Sequence, residues 1–522
     1  MVNFSISNVV ENMDGLENTA FEIPCLTEEP TKRKSKNGII VSIVTLFLLS
    51  LSYALYGLID DYATFYFFGI ATFLMLFYSF YMIRLFSGNI IIIFRFLLLL
   101  VPIFITSYVW WLYRGHIYTA FFGFEFQTLK ATYIIVMGGF LSVIGSAAGW
   151  FAGMLYFKSV NTTAEKKKNF FDHLNSRYKK ILILGLSGSI FFGLAYYIVS
   201  GGSVYSTGGY ATGVGHINIP FGVYNVFQMF FTSLVLIAIS LKKKKYALAF
   251  FILIFSYVLG VLTGSRADYL LPVLFLIIIY IDGNLLNKFY VNTKSIIRKR
   301  YLKLFILVFL GFFVSTAIGF WRNDIKLDLF SIILKYLTHI SSVLFLKLNY
   351  HKVFFIKYKC DEMIGGFYGI VQRIHLGYSN FYYGMDYLNY IPRLLPAFIR
   401  PESFNKLGLA YHTNINGVIM SQGGIFEPAE AYVNFGFLGC FFISFLISFF
   451  FVWLLKKAKK NFSIFFMSWY IVNGFMLSRA VWYQNFAFAR IMSVMLFLYV
   501  IFYLLKNRWF FGINPIFKKY KA

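Results

Sequence analysis

The stretch Val261-Leu262-Thr263-Gly264-Ser265-Arg266-Ala267-Asp268-Tyr269-Leu270 lies between two long apolar runs, at residues 246–262 and 269–281. Basic clusters bound this pair of runs, at residues 242–245 before it and at residues 288–300 after it. Because basic residues stay on the cytoplasmic side of a membrane, both outer ends of the helical hairpin are expected inside and its tight turn outside. The pattern therefore predicts a membrane protein that holds Arg266 at its external surface.

The composition supports this interpretation and excludes other classes of protein. With 59% hydrophobic, 22% aromatic and 13% charged residues among 522, the chain is far too apolar for a soluble protein. The net charge of +27 comes from lysines and arginines in short clusters between apolar runs, not on one basic face. The charge therefore indicates membrane topology, and we expect no nucleic-acid partner.

The apolar runs predict an all-α polytopic integral membrane protein. About twelve stretches are long enough to span a bilayer, and every lysine-rich cluster then falls on one side, with both termini cytoplasmic. The predicted spans are residues 38–58, 64–83, 89–112, 131–157, 181–199, 223–241, 246–262, 269–281, 302–320, 436–455, 462–477 and 491–505.

One long interruption divides the chain. We predict a cytoplasmic tail at residues 1–37, transmembrane helices 1–9 within 38–321, a large external loop at 322–435, helices 10–12 within 436–505 and a basic cytoplasmic tail at 506–522. A segment as long as 322–435 is a domain rather than a connector.

Arginines at the external ends of spans are the first candidate site residues. Short external loops normally avoid basic residues, and the planar guanidinium suits phosphate or carboxylate, so a cluster of arginines indicates a site for an anionic group. Each arginine has an alternative interpretation as the partner of a nearby acid such as Asp268 or Asp324. The candidates are Arg266, Arg322, Arg479 and Arg490, with Arg400 from the large loop as a further one.

Two acids at the end of the large loop are candidates for the chemistry. Glu427 and Glu430 follow Gly423-Gly424 and are expected beside the mouth of the span that begins at Gly436. Glu430 is the preferred general base, and His412 is the alternative. The structural interpretation is that the two acids neutralise Arg479 or begin a helix, since Glu-Pro-Ala-Glu is typical of a first helical turn. The seven histidines form no paired ligand spacing, so we expect no metal site and no cofactor.

The layout resembles the Wzy family of O-antigen or oligosaccharide repeat-unit polymerases. The order and sidedness of four short motifs carry the resemblance, which covers roughly residues 242–490. The motifs are Thr263-Gly264-Ser265-Arg266, Trp321-Arg322, Gly423-Gly424 with Glu430-Ala431-Tyr432-Val433-Asn434-Phe435-Gly436, and Ser478-Arg479.

The resemblance implies a GT-C-like glycosyltransferase in the bacterial inner membrane. Such an enzyme joins undecaprenyl-diphosphate-linked oligosaccharide units at the periplasmic face, which makes the large loop periplasmic. Its partners are the lipid-linked donor and acceptor and the membrane lipid, with a chain-length regulator protein as a further candidate. An O-antigen ligase, or a flippase or other transporter of lipid-linked oligosaccharide, is the alternative function.

We expect Arg266→Ala and Glu430→Ala each to abolish surface polymer, because the diphosphate loses a cation and the nucleophile loses its base. The measurement is the ladder of lipopolysaccharide bands on a gel, with the amount of each variant in the membrane fraction as the control. Wild-type ladders from both variants would contradict this site.

Overall fold

A computed structural model describes most of the predicted membrane helices and parts of the large loop. Its described residues are 28–56, 61–86, 89–112, 128–157, 164–199, 221–241, 252–257, 272, 276, 364, 366–375, 377, 380–393, 414–415, 418–419, 425–461, 463–482 and 485–504.

The described residues are almost entirely helical. Two short strands, β1 (Asn414–Ile415) and β2 (Val418–Ile419), form one antiparallel pair. The helices are α1 (Glu28–Tyr56), α2 (Asp61–Leu85), α3 (Ile90–Leu112), α4 (Thr128–Tyr156), α5 (Ala164–Val199), α6 (Phe221–Leu241), α7 (Gly366–His375), α8 (Met385–Arg393), α9 (Glu427–Asn461), α10 (Ile464–Trp482) and α11 (Phe486–Leu504).

The predicted all-α polytopic class is confirmed. Within the described part of the chain, 8 helices are long and apolar enough to cross a membrane, and α6 contributes a shorter apolar stretch, Val223–Ile239. These helices coincide with the predicted spans before residue 242 and after residue 435. The spans predicted at 246–262, 269–281 and 302–320 lie largely outside the described residues, so the count of twelve stays a prediction.

Helix α4 is the centre of the bundle. Its apolar window is buried throughout, whereas most of the corresponding windows of α1, α5 and α11 face outward. Because hydrocarbon solvates apolar side chains as well as a protein interior does, the outward-facing phenylalanines and leucines of these helices are expected in a membrane protein.

Helices α4 and α9 pack closely through small residues. Gly145, Gly149 and Gly153 recur every fourth residue and so share one face of α4. A Cβ atom at Gly145 or Gly149 would clash with the main-chain carbonyl of Phe441 or Phe445 in α9. Such spacing lets two helix backbones approach closely within a membrane, and it fixes α9 against the most buried helix.

A proline in α3 leaves a main-chain carbonyl free to accept a hydrogen bond from α10. Pro102 lies inside α3 and has no N–H, so the carbonyl of Leu98 lacks its usual donor. The indole Nε1 of Trp482 donates to that carbonyl at 2.8 Å. Because an unpaired backbone group in hydrocarbon costs several kcal/mol, this contact stabilises the packing of the two helices.

Helix α9 contains a sharp reversal of direction. Phe435 has φ −144° and ψ 15°, and Gly436 has φ 63° and ψ −149°, a left-handed conformation that glycine adopts readily. Residues 427–434, here called the re-entrant helix, fold back along residues 437–461, here called α9b. The Sγ of Cys440 donates to the carbonyl of Pro428 at 3.3 Å, so the two segments run antiparallel.

We expect Gly149→Val to destabilise the bundle by about 1–3 kcal/mol, because overpacking forces α4 away from the Phe445 backbone. The measurement is the midpoint of thermal unfolding in detergent, followed by size-exclusion chromatography after heating. Ala152→Val, at a half-buried position on the same helix, is the control and should unfold close to wild type. Equal midpoints for both variants would contradict the packing argument.

Candidate active site

The re-entrant helix carries both acids that the sequence singled out. Glu427 begins it, with Pro428 next, and Glu430 lies one turn later. The expected first helical turn at Glu-Pro-Ala-Glu is therefore present, and the amides of Ala429 and Glu430 both donate to the carbonyl of Phe426. Because the helix folds back, its first residue is carried into the bundle rather than left at the mouth of the span.

Glu427 forms an ion pair with Arg95 of α3. The guanidinium donates from Nη1 to Oε2 at 2.9 Å and from Nη2 to Oε1 at 2.6 Å, and both side chains are fully buried. Ser444 donates to Oε1 of the carboxylate at 2.5 Å, and Nε of Arg95 donates to Ser448 at 3.2 Å. The pair is thus bidentate and hydrogen-bonded on both sides.

The ion pair lies deep in the bundle. Ser448 is about 18 Å along α9b from Gly436 at a rise of ~1.5 Å per residue. Charges at such a depth are tolerated only when they are paired, and breaking a buried pair by removing one partner costs about 3–5 kcal/mol. The contact therefore fixes the inner end of the re-entrant helix.

Glu430 lies beside the turn that joins α10 to α11. Its side chain is 1% exposed, and Oε2 accepts a hydrogen bond from the main-chain N–H of Asn485 at 3.0 Å. Among the described residues it has no basic partner, unlike Glu427. A buried carboxylate held by one main-chain donor is suited to accept a proton from a bound hydroxyl.

Asn434 connects the re-entrant helix to α8. Its Nδ2 donates to the main-chain carbonyl of Glu430 at 2.8 Å and to Oδ2 of Asp386 at 3.1 Å. Its Oδ1 accepts from the main-chain N–H of Gly384 at 3.1 Å. One buried amide therefore holds a second buried acid, Asp386, close to the end of the helix that carries Glu430.

Aromatic residues join α8 to the α10–α11 turn. The ring of Tyr390 lies 5.1 Å from that of Phe486, and the guanidinium of Arg490 lies 5.1 Å from the centre of the same ring. Tyr387 packs edge-on against Tyr390 at 5.8 Å. Burial raises the pKa of the Tyr387 hydroxyl well above its ordinary value, and the charges of Glu430 and Glu427 raise it further, so this hydroxyl stays protonated.

Several buried polar atoms in this region have no hydrogen-bond partner among the described residues. They are the hydroxyls of Tyr387 and Tyr390 and both side-chain amide atoms of Asn485. The Asn485 amide lies near the Tyr387 hydroxyl and lowers the pKa of that hydroxyl, but the two groups are too far apart or misaligned for a hydrogen bond. Since buried polar groups are normally satisfied, these atoms could form hydrogen bonds to a bound molecule.

The other predicted residues divide into two groups. Arg479 is half-buried in the last turn of α10, and Arg490 lies in α11, so they flank the turn that contacts Glu430. Arg266, Arg322, Arg400 and His412 lie outside the described residues. No group of three potential metal ligands occurs among the residues that the structure describes.

Sequence reasoning missed Arg95, Asp386, Asn434 and Asn485. Arg95 had a usable signal, because it is the one charge in the apolar run 90–112, and an ionisable residue inside a span indicates a partner or a function. Asn434 had a signal in the motif that carries the resemblance, whereas Asp386 and Asn485 had none, since polar residues are ordinary in loops and at helix ends.

Comparison with models of protein families identifies a family that covers most of the chain. Residues 38–510 match the model of a family described as O-antigen polysaccharide polymerase Wzy. No curated protein and no solved structure matches the chain.

We expect Asn434→Asp to destabilise the contact between α8 and the re-entrant helix by about 1–3 kcal/mol. The substitution replaces the Nδ2 donor with an oxygen that faces the Asp386 carboxylate and the Glu430 carbonyl. Thermal unfolding in detergent measures the effect, and Asn380→Asp, at an exposed position, is the control. An Asn434→Asp midpoint equal to that of the control would show that this amide is dispensable.

Proposed function

The chain belongs to the O-antigen polysaccharide polymerase Wzy family, and on this premise we propose a specific reaction and a site for it. The family membership confirms the predicted resemblance and gives a multi-pass membrane enzyme that joins lipid-linked oligosaccharide repeat units by glycosyl transfer. The proposed donor is an undecaprenyl-diphosphate-linked chain, and the proposed location is the periplasmic face of the bacterial inner membrane.

The proposed reaction moves the growing chain from one lipid carrier onto an incoming unit. A hydroxyl oxygen of the acceptor sugar bonds to the anomeric carbon of the donor, and the bond from that carbon to the diphosphate oxygen breaks. The bonding pair leaves with the diphosphate, and Glu430 takes the hydroxyl proton. A buried carboxylate without a basic partner suits this role, and His412 remains the alternative base.

The observation that carries the proposal is the position of Glu430 among unsatisfied polar atoms. Its carboxylate is held by the N–H of Asn485, and the side chain of that same residue has two buried atoms without a partner. Acceptor hydroxyls would supply the missing hydrogen bonds, since each sugar hydroxyl both donates and accepts. Tyr387 and Tyr390 offer two further hydroxyls in the same cluster.

The leaving group needs cationic stabilisation. Arg479 and Arg490 come from the two helices that meet at the Asn485 turn, and Arg266 and Arg322 are proposed to complete the diphosphate site. Arginine matches the oxygens of a diphosphate bidentately and remains charged at any physiological pH. Arg400 and Glu427 were further candidates, and for Glu427 the buried pair with Arg95 favours a structural role.

Sidedness supports a periplasmic reaction. Helix α9b ends at the cluster Lys456-Lys457-Ala458-Lys459-Lys460, and such clusters remain cytoplasmic. Glu430 and Asn434 lie toward the opposite end of α9b, near Gly436. This arrangement supports a site on the face where exported lipid-linked units are available.

We expect Glu430→Gln to lower the polymerisation rate by about 10²–10⁴-fold. Glutamine keeps an oxygen that accepts from the Asn485 N–H, so the fold persists while the base is lost. In a strain without the gene, a plasmid carrying this variant should give lipopolysaccharide with a single repeat unit, and the wild-type plasmid should give a ladder.

The control is Glu28→Gln in the first turn of α1, which should restore the full ladder. A ladder from Glu430→Gln would exclude Glu430 as the base. Core without any repeat unit in the deletion strain would contradict the polymerase itself and favour a ligase or flippase, because ligation and export proceed without a polymerase.

A further inference from the structure

We propose that Arg95 of α3 is a positioning residue that fixes the location of Glu430. The inference rests on the proposed function for its catalytic consequence. It goes beyond that function because it assigns a role to a residue that no substrate touches.

Arg95 is unavailable to substrate. Its side chain is fully buried, and each of its three guanidinium nitrogens donates to a side chain of α9, two to Glu427 and one to Ser448. The rings of Phe451 and Phe488 lie 5.9 Å and 5.8 Å from the guanidinium carbon. Arg95 therefore influences the reaction through the protein groups that it contacts, not through the substrate.

The contact between Arg95 and Glu427 affects Glu430 through the re-entrant helix. Glu427 and Glu430 are three residues apart on one helix, so a shift at the first moves the second. Ser146 of α4 lies 2.8 Å from Ser448, which couples the ion pair to the most buried helix of the bundle. Three helices thus hold the inner end of the re-entrant helix.

The described contacts at the outer end of the re-entrant helix are hydrogen bonds made by Asn434. Asn434 contacts Asp386 and Gly384 of the loop region, and the Phe435–Gly436 reversal follows at once. The charged contact is at the other end, where displacement would leave two unpaired charges in a water-free interior. The pair therefore restricts the inner end of the helix to one position.

The test compares three variants in purified, folded protein. Arg95→Lys keeps the charge and removes the bidentate geometry. The double variant Arg95→Met with Glu427→Met removes both charges, and such replacements usually preserve stability. Ser189→Ala, which deletes a buried hydrogen bond to Thr232 between α5 and α6, is the control for a general loss of buried contacts.

Two measurements are made on each variant. Hydrogen–deuterium exchange of residues 427–434 reports the re-entrant helix without any substrate. Steady-state polymerisation of a purified lipid-diphosphate-linked repeat unit in detergent micelles gives kcat and KM separately.

We expect exchange at 427–434 to rise by about tenfold or more in Arg95→Lys and in the double variant. We expect kcat to fall by about tenfold or more, since a small displacement of a catalytic group has a large effect on rate. KM should stay within about twofold, because the substrate contacts remain. Ser189→Ala should match wild type in all three values.

The proposal is overturned if a folded variant exchanges like wild type at 427–434, or if exchange rises while kcat is unchanged. A rise in KM alone also overturns it, since Arg95 would then affect binding. If the double variant does not fold, Arg95→Lys decides by the same criteria. If wild-type protein forms no polymer, the proposed function fails, and the exchange comparison still decides whether Arg95 holds the helix.

Discussion

The ion pair between Arg95 and Glu427 is the interaction on which the described structure most depends. It joins residues 332 positions apart in the chain, and it does so where neither water nor lipid could solvate either charge. Once it forms, α3, α9b and the re-entrant helix have one arrangement in which both charges are satisfied. Ser444 donates to the carboxylate and Ser448 accepts from the guanidinium, so the two charges neutralise each other and both groups have further hydrogen bonds.

The same requirement, that polar groups be satisfied inside the protein, shapes the rest of the bundle. The indole of Trp482 supplies the donor that Pro102 withholds from the Leu98 carbonyl. The non-helical backbone at Phe435–Gly436 lets residues 427–434 lie against α9b with their polar groups covered. Irregular backbone at membrane depth is stable only when protein surrounds it. Gly145 and Gly149 make room for α9 against α4 by leaving out a side chain.

Two acids one turn apart have different surroundings and therefore different chemistry. Glu427 faces a bidentate cation inside the bundle, whereas Glu430 faces a main-chain amide beside a cluster of unsatisfied hydroxyl and amide atoms. Both acids lie in one short stretch of sequence, Glu427-Pro428-Ala429-Glu430. The difference arises because the re-entrant helix runs from the interior toward the outer surface, so its successive turns meet different neighbours.

The sequence by itself determined the class of fold and the segment that contains the candidate acids, and it predicts the sidedness of the chain. Those properties follow from local demands: a span needs about 20 apolar residues, basic clusters remain inside, and Glu-Pro begins a helix. Family membership was also predicted from short motifs and their order, and it is confirmed. The roles of Arg266, Arg322, Arg400 and His412 stay predictions.

Only the tertiary structure decided that Glu427 pairs with Arg95, that residues 427–434 fold back into the bundle, and that Asp386 and Asn434 lie beside Glu430. Hydropathy constrains each segment against the membrane and leaves open which segments become neighbours. The partner of a buried charge depends on that choice of neighbours, because it must come from whichever helix packs alongside.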